Sequence, residues 1–332
     1  MRGLLVVGAL LISACASSGA GMTAVNTCDV SAADRAWIDR SLEAWRLSAR
    51  GVEGLRNVRP FVAVFFDADC VLTSPNAFSA ANVADVTWAA IPHTGEVTLP
   101  NGDVMPAGVT SFASADEVRA FFVMSTPSVW QAGGVRNDGL GLETMMVAVL
   151  LHEGAHVAQM DTYGARIGAL AAANGFPEDF NDDSIQHRFG ENTDFAASVE
   201  QETALLFQAA DAPDEAMARA LARQARDLMR ARQARWFTGA DAALAEAEDI
   251  WLTFEGSGQW VGYRWLIDPD GAGVATDVAM PHFGRRSRWW SQKEGLAFAL
   301  ALERIGGPAW QAQAFGGGAE TLPAMLDRAL AD

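Results

Sequence analysis

The five residues from His152 to His156, His-Glu-Gly-Ala-His, restrict the folds open to this chain more than any other segment. They continue an apolar run in which Met146, Val149 and Leu150 are spaced by three and four residues, the period of an amphipathic helix. On a helix, residues four apart lie on the same face. The spacing therefore predicts a helix that presents two imidazoles side by side.

Two imidazoles on one helix face can bind a single Zn²⁺, and the glutamate after the first histidine then points toward the metal-bound water. Burying two neutral imidazoles and a carboxylate together would be costly without a metal or other partners. We therefore expect Zn²⁺ as the cofactor, with His152 and His156 as ligands and Glu153 as the general base of a hydrolytic reaction.

The N-terminus has the pattern of an export signal. Arg2 precedes an apolar stretch from Leu4 to Ile12 that is too short for a permanent transmembrane helix, which predicts a signal peptide over residues 1–14. Ile-Ser-Ala-Cys, ending at Cys15, resembles a bacterial lipoprotein box. The resemblance implies lipidation of Cys15 and an anchor on the periplasmic side of the outer membrane. A soluble secreted or periplasmic protein is the alternative.

Two further cysteines, Cys28 and Cys70, would form an even pair once Cys15 carries lipid. In an oxidising compartment such a pair predicts a disulfide between the mature N-terminus and the first strand region. The three cysteines lack the C-x-x-C spacing typical of zinc ligation, so we assign them no metal.

The formal net charge of −17 argues against a nucleic-acid partner, because such binding depends on clustered Lys and Arg. The arginines from Arg219 to Arg235 are interpreted as one helical face that is solvated or paired with carboxylates. The expected partners are instead a peptide or protein substrate and the membrane that holds the lipid anchor.

The pattern of elements predicts an α+β fold, with a strand-containing region over residues 15–137 and a mainly helical region over 138–332 that forms one compact unit with it. A helix is expected from Ser31 to Gly51, with Asp34 in its capping arrangement. Strands are expected at Phe61–Phe66, Val86–Ile91, Glu96–Leu99 and Phe121–Met124, with a turn at Asn101-Gly102. Later helices are expected at Arg166–Ala173, Ala196–Ala210, Pro213–Trp236, Ala240–Leu266, Ser291–Ile305 and Leu322–Leu330.

A catalytic zinc usually takes three protein ligands, so a third must come from elsewhere in the chain. Gln159 and Thr162 stand where a glycine and a third histidine would follow in a metzincin motif, so a glutamate is the natural substitute. Our preferred ligand is Glu255, which Gly256 and Gly258 follow. Two glycines in a helix suggest the close approach of another helix, as a shared metal would require.

Two other sets of glutamates compete with this choice. Glu202, with Glu200 beside it, lies nearer the histidines in sequence and is the alternative ligand. A role for this pair in holding the N–H of a histidine ligand is also open. Glu294 also precedes a glycine, but Ser291 three residues earlier predicts a capping box, which gives Glu294 a structural role.

The histidine motif together with the downstream Glu255-Gly256 pair resembles the gluzincin group of zincin metallopeptidases. The resemblance covers a small part of the chain, and Gly258 and Trp260 stand where that group has alanine and tyrosine. It implies peptide-bond hydrolysis at zinc, with His152, His156 and Glu255 as the ligands.

A donor for the oxyanion is also needed. Tyr263 is the preferred residue, and Tyr163 and His187 are the alternatives. Two other functions stay open on the sequence: a non-catalytic envelope lipoprotein that binds a partner, and a zinc hydrolase of cell-wall peptide amides.

Overall fold

The computed structural model describes residues 28–115, 120–318 and 320–331. They form the predicted α+β fold, with a sheet in the N-terminal part followed by a mainly helical part. The signal peptide over residues 1–14 and the lipidation at Cys15 lie outside the described residues. Within these ranges, no helix combines the length and the apolar character needed to cross a membrane.

Seven strands lie in the described residues of the N-terminal part. They are β1 (Val62–Phe66), β2 (Cys70–Thr73), β3 (Ala89–Pro92), β4 (Glu96–Thr98), β5 (Val104–Pro106), β6 (Ser111–Ala115) and β7 (Ala120–Ser125). Five of them form a sheet in the order β3-β2-β1-β7-β6, in which β1 and β7 are parallel and the other neighbours are antiparallel. The remaining strands, β4 and β5, form a hairpin.

The centre of the sheet is the part that its sequence predicts best. Strands β1 and β7 are buried at every position, which agrees with their continuous apolar sequences and their central places in the sheet. The predicted turn at Asn101-Gly102 joins β4 to β5, and Gly102 has a φ of 91°. Strands β2, β5 and β6 were not predicted. Residues 111–115 of β6 read Ser-Phe-Ala-Ser-Ala, which has little of the β-branched and aromatic content typical of strands.

Twelve α-helices are present in the described ranges. They are α1 (Ala32–Gly51), α2 (Pro127–Ala132), α3 (Leu142–Gln159), α4 (Ala165–Asn174), α5 (Ser184–Phe189), α6 (Thr193–Ala210), α7 (Glu215–Trp236), α8 (Leu244–Ile267), α9 (Thr276–Ala279), α10 (Trp290–Gly306), α11 (Trp310–Phe315) and α12 (Leu322–Ala331). Every long helix was predicted, whereas the short helices α2, α5, α9 and α11 were not.

Helix α1 connects the sheet to the helices. The Ser31 hydroxyl accepts a hydrogen bond from the Asp34 backbone N–H at 3.1 Å, so the expected cap is present. The buried Trp37 indole donates to the Glu143 carbonyl of α3 at 3.1 Å. Trp45 lies directly against Gly154 of α3, where a Cβ would come within 2.7 Å of the indole. These contacts fix α3 against α1.

The main core crosses the boundary between the two predicted regions. It extends from Val30 before α1 to Leu330 in α12 and includes residues of both the sheet and the helices. The predicted disulfide between Cys28 and Cys70 is present and joins the start of the described chain to β2. Helix α8 packs between α3 and α10, and this arrangement positions the candidate site.

Candidate metal centre

Helix α3 carries the histidine motif in the interior of the protein. It follows Gly141, whose φ of 76° favours glycine. Apolar residues before the motif are buried against the core, so the helix brings its histidines inward. His152, Glu153 and His156 are 5%, 8% and 5% exposed. The two imidazoles lie together, with ring centroids 4.4 Å apart.

Helix α8 brings Glu255 to these histidines. One carboxylate oxygen lies 3.1 Å from His152 Nε2, and the other lies 3.2 Å from His156 Nε2. The three side chains are buried, and their ligand atoms all lie within 4.8 Å of one another. Among the described residues they form the one group of three or more His, Cys, Asp or Glu side chains that could hold a metal ion.

The charges of this group stabilise one another. Burial alone would raise the pKa of Glu255, but the electrostatic interaction with His156 and hydrogen bonds from both histidines hold that pKa well below its usual range. For His152, burial opposes protonation, yet the bond to Glu255 and its charge raise the pKa above the ordinary value. The carboxylate therefore stays ionised in the interior, as a metal ligand must be.

Packing orients the imidazole rings. His156 stacks on Phe254, with centroids 4.0 Å apart and planes 10° from parallel. The Nδ1 atoms of His152 and His156 are buried and make no hydrogen bond to any residue in the described ranges. Their Nε2 atoms face Glu255, so the ring orientation is set by packing and by the carboxylate.

The two glycines after Glu255 allow the close approach that the sequence predicts. A Cβ on Gly258 would lie 3.1 Å from the His156 ring and 3.2 Å from the His152 ring. A Cβ on Gly256 would come within 2.2 Å of the backbone of Gly295 in α10. Helix α8 thus meets α3 at one glycine and α10 at the other.

These distances fit zinc. In a tetrahedral site with bonds of about 2.0–2.1 Å, neighbouring ligand atoms lie about 3.3 Å apart. The two nitrogen–oxygen distances of 3.1 and 3.2 Å are close to that separation. Two imidazoles and one carboxylate are also a donor set that catalytic zinc uses, with a further position left open.

A cavity of about 400 Å³ opens beside the motif. Glu153 and His152 line it, whereas His156 and Glu255 are not among the lining residues. The other lining residues are Ser111, Trp130, Met145, Val149, Gln259, Pro281, His282, Phe283, Arg286, Ser287, Trp289 and Gln292. The arrangement can therefore admit a ligand to one side of the histidines.

The alternative ligands are engaged elsewhere. Glu202 is fully buried and accepts hydrogen bonds from the Arg232 guanidinium at 2.7–3.0 Å and from Ser198 at 2.6 Å. Glu200 is exposed and pairs with Lys293 at 2.7 Å. The alternative prediction, in which Glu202 is a metal ligand, was therefore wrong. The Arg232 guanidinium occupies the position beside Glu202 that a metal would need.

Glu294 also stays out of the metal group, but for another reason than the expected one. Helix α10 begins at Trp290, so Ser291 lies inside the helix and its hydroxyl faces Asp182 at 3.5 Å. The predicted capping box is absent. Glu294 is buried beside Glu202, and this burial together with the neighbouring negative charge raises its pKa well above the ordinary value.

The structure places none of the three predicted oxyanion donors at the cavity. Tyr263, the preferred residue, is buried in the main core and does not line the cavity, so its assignment was wrong. The Tyr163 hydroxyl donates to the Glu320 carbonyl at 2.7 Å. His187 is exposed and lines a separate surface groove.

Several residues at the cavity were not predicted. The Gln292 amide reaches Glu255 at 3.5 Å, and the Gln259 amide donates to the Phe283 carbonyl at 2.5 Å. His282 and Arg286 enter from the segment between α9 and α10. Only His282 carried a signal in the sequence, because the chain contains just five histidines.

Asp182 also contributes to the electrostatics around the ligands. Burial, then the charge of Glu255, raises its pKa to about 7. Near neutral pH the Asp182 carboxyl group is therefore partly protonated and partly ionised.

No family model matches this chain, and neither the curated proteins nor the solved structures contain a match to it. The functional argument consequently depends on the geometry of the centre itself.

Proposed function

We propose that this chain is a zinc-dependent hydrolase of peptide bonds that acts at the bacterial cell envelope. One observation carries the proposal: His152, His156 and Glu255 form a buried group with zinc-like spacing, and Glu153 lines a cavity beside that group. A purely structural zinc site usually has four protein ligands and no open position. The three-ligand group next to a cavity supports a catalytic role.

Bound zinc would supply a Lewis acid that lowers the pKa of water and polarises a carbonyl group. Glu153 follows the first histidine ligand on the same helix and is separate from the ligand group. In our proposal its carboxylate accepts the proton of the attacking water and then passes it to the nitrogen of the leaving amine. The burial of Glu153 limits competition from bulk water for these transfers.

His282 replaces Tyr263 as our candidate donor to the developing oxyanion. It lines the same cavity as Glu153, and its imidazole can donate a hydrogen bond. The ring lies against the backbone at Gly139, where a Cβ would come within 2.3 Å of it. Asn137 also donates to the His282 carbonyl at 3.2 Å, so both the backbone and the ring of this residue are held in position.

The envelope location is supported by the N-terminal sequence and by the cysteines. The pattern over residues 1–15 is typical of an exported lipoprotein. The disulfide between Cys28 and Cys70 is the kind of bond that persists in an oxidising compartment.

Replacement of Glu153 by glutamine tests the hydrolytic role. The E153Q protein should bind zinc as the wild type does but should cleave a fluorogenic peptide library at least about 100-fold more slowly, because the general base is lost. The matched control is E143Q, which changes an exposed glutamate in the first turn of the same helix. Wild-type cleavage rates in zinc-loaded E153Q would contradict the proposal.

The same assay separates the other two functions. Cleavage of cell-wall peptide amides, with no cleavage of ordinary peptides, would move the substrate to the cell wall while keeping the roles of the residues. If zinc-loaded wild-type protein cleaves neither substrate class, the chain is better described as a partner-binding scaffold.

A further inference from the structure

Three arginines, Arg285, Arg286 and Arg288, lie in the segment that borders the cavity. They stand out in a chain whose net charge is −17. Two of them are not among the residues that line the cavity. Arg285 pairs with Asp211 and lies over Phe207, 4.9 Å from the ring centroid. Arg288 lies over Trp289 at 4.2 Å.

Arg286 differs from both neighbours because it is one of the residues that line the cavity with His152 and Glu153. It forms no ion pair with any residue in the part of the chain that the structure describes. Among the described residues that line this cavity, it is also the only arginine or lysine. Its guanidinium is therefore available to a ligand, and it is suited to bidentate binding of a carboxylate.

The backbone that carries Arg286 is tied to the metal-binding helices. Gln259, one turn after Glu255 on α8, donates to the Phe283 carbonyl at 2.5 Å. Gly284 packs so closely on Leu296 of α10 that a Cβ would come within 2.7 Å of that side chain. Arg286 follows two residues later, and its N–H bonds to the Gly284 carbonyl. The backbone of Arg286 is thus held in a fixed position relative to the candidate zinc ligands.

Aromatic and aliphatic side chains form much of the remaining wall. Trp130, Met145 and Trp289 are among its lining residues. Such surfaces favour an apolar or aromatic substrate group, because its burial removes apolar area from water. A carboxylate and an apolar group within a few residues of each other would complement this cavity.

We propose that Arg286 determines specificity by binding a substrate carboxylate close to the scissile bond. The inference rests on the proposed peptidase function and adds a substrate class to it: peptides with an acidic residue, or a free C-terminal carboxylate, near the cleaved bond. Both sources present the same planar carboxylate to the guanidinium.

Matched peptides test this specificity. One series carries Glu or Gln at each position flanking the cleaved bond, and the other carries a free acid or an amide at a nearby C-terminus. Zinc-loaded wild type should prefer one carboxylate peptide over its amide by about 10- to 100-fold in kcat/KM, the range expected for hydrogen bonds to a charged group. The series that shows the preference identifies the source of the carboxylate.

Three variants test whether Arg286 causes the preference for carboxylate peptides. R286Q should bring the acid-to-amide ratio in kcat/KM to about 1. R286K should retain part of the preference, because lysine keeps the charge without the bidentate geometry. The matched control R285Q alters the neighbour paired with Asp211 and should keep the full ratio. An unchanged ratio in R286Q would overturn the inference.

Binding separates this inference from the proposed function. Zinc-loaded E153Q should bind the acid peptide more tightly than the amide, and the double variant E153Q/R286Q should bind both alike, as measured by calorimetry. If wild type cleaves no peptide but this difference in binding persists, hydrolysis is contradicted and carboxylate recognition is supported. Cleavage without any preference for a carboxylate would keep the hydrolysis and overturn the role of Arg286.

Discussion

Two buried Glu-Gly pairs meet where helices α8 and α10 cross, and their carboxylates have opposite surroundings. Glu255 and Gly256 lie on α8, and Glu294 and Gly295 lie on α10. The glycines contact each other backbone to backbone, so that a Cβ on either one would come within 2.5 Å of the other. Both carboxylates are less than 10% exposed. Identical dipeptides therefore lie side by side in one helix crossing.

Their neighbours give them different chemistry. Glu255 faces the imidazoles of His152 and His156, which hold its pKa well below the ordinary range. Glu294 faces Glu202, with Arg232 nearby, and burial raises its pKa well above that range. The difference teaches that a buried carboxylate becomes a candidate metal ligand through the groups that α3 brings to it. The dipeptide alone does not decide its role.

The largest effect should follow removal of the cation on the Glu294 side. Arg232 is fully buried and binds Glu202 and Glu248, so an R232L variant would leave their carboxylates without a compensating charge. We expect the free energy of unfolding to fall by about 3–5 kcal/mol, as measured by urea denaturation.

R235A provides the control on the same helix. The ion pair of Arg235 with Asp194 is exposed, and its loss should cost less than about 1 kcal/mol. Equal small losses in both variants would show that the buried cluster does not need its guanidinium.

The next largest loss of stability should follow from adding a side chain where α8 and α10 cross. G295A adds a methyl group 2.3 Å from the Leu252 carbonyl, so the helices must separate, and we expect a loss of about 1–3 kcal/mol in a thermal or urea melt. Gly168 in α4 is the matched control, because a Cβ there meets nothing within 4 Å. G168A should stabilise the protein by up to about 1 kcal/mol. A stabilising G295A would contradict the close contact.

Filling the other glycine should act on the metal rather than on the fold. In G258A the new methyl group would lie 3.1–3.2 Å from the His152 and His156 rings and would displace them slightly. We expect zinc affinity to fall by about 10- to 100-fold, the range seen when groups that orient metal ligands are changed. Competition with a chelator measures this change. If G258A and G168A bind zinc equally well, Gly258 does not position the rings.

The smallest effect should be a change in pH dependence on the Glu294 side. A carboxyl whose folded-state pKa is raised stabilises the fold below its unfolded pKa of about 4.5, and that contribution is lost as pH rises through the folded pKa. E294Q should remove this loss, so its stability relative to wild type should improve from pH 5 to pH 8.

Urea melts of metal-free protein at the two pH values would measure the difference. E200Q, which changes an exposed carboxylate, is the control. Stability curves of wild type and E294Q that stay parallel across this range would contradict the raised pKa.

The candidate metal-binding group, His152, His156 and Glu255, could be predicted from sequence. The spacing of His152 and His156 depends only on helical geometry, and their chemistry requires a third ligand. The glycines after Glu255 indicated close approach of another helix, and the structure has that contact on both sides of α8. Local rules thus led to the three residues that the fold brings together.

The remaining parts depend on packing that no local pattern records. Glu202 and Glu255 are both buried glutamates in helices, and their surroundings differ because Glu202 meets the Arg232 guanidinium whereas Glu255 meets His152 and His156. Tyr263 was chosen for its distance along the chain from Glu255, but the turn of α8 directs it into the core. Arg286 lies in a short irregular segment without a periodic sequence signal, so its place at the cavity could not be predicted.

Zinc binding by wild type, E255Q and E294Q tests the central claim most directly. Each protein is stripped of metal, reloaded with Zn²⁺ and titrated against a chelating indicator. We predict that wild type and E294Q each bind about one equivalent with similar affinity, whereas E255Q binds more than about 100-fold more weakly because it lacks the third ligand. Equal affinity in E255Q and wild type, or no specific zinc binding by wild type, would contradict the account.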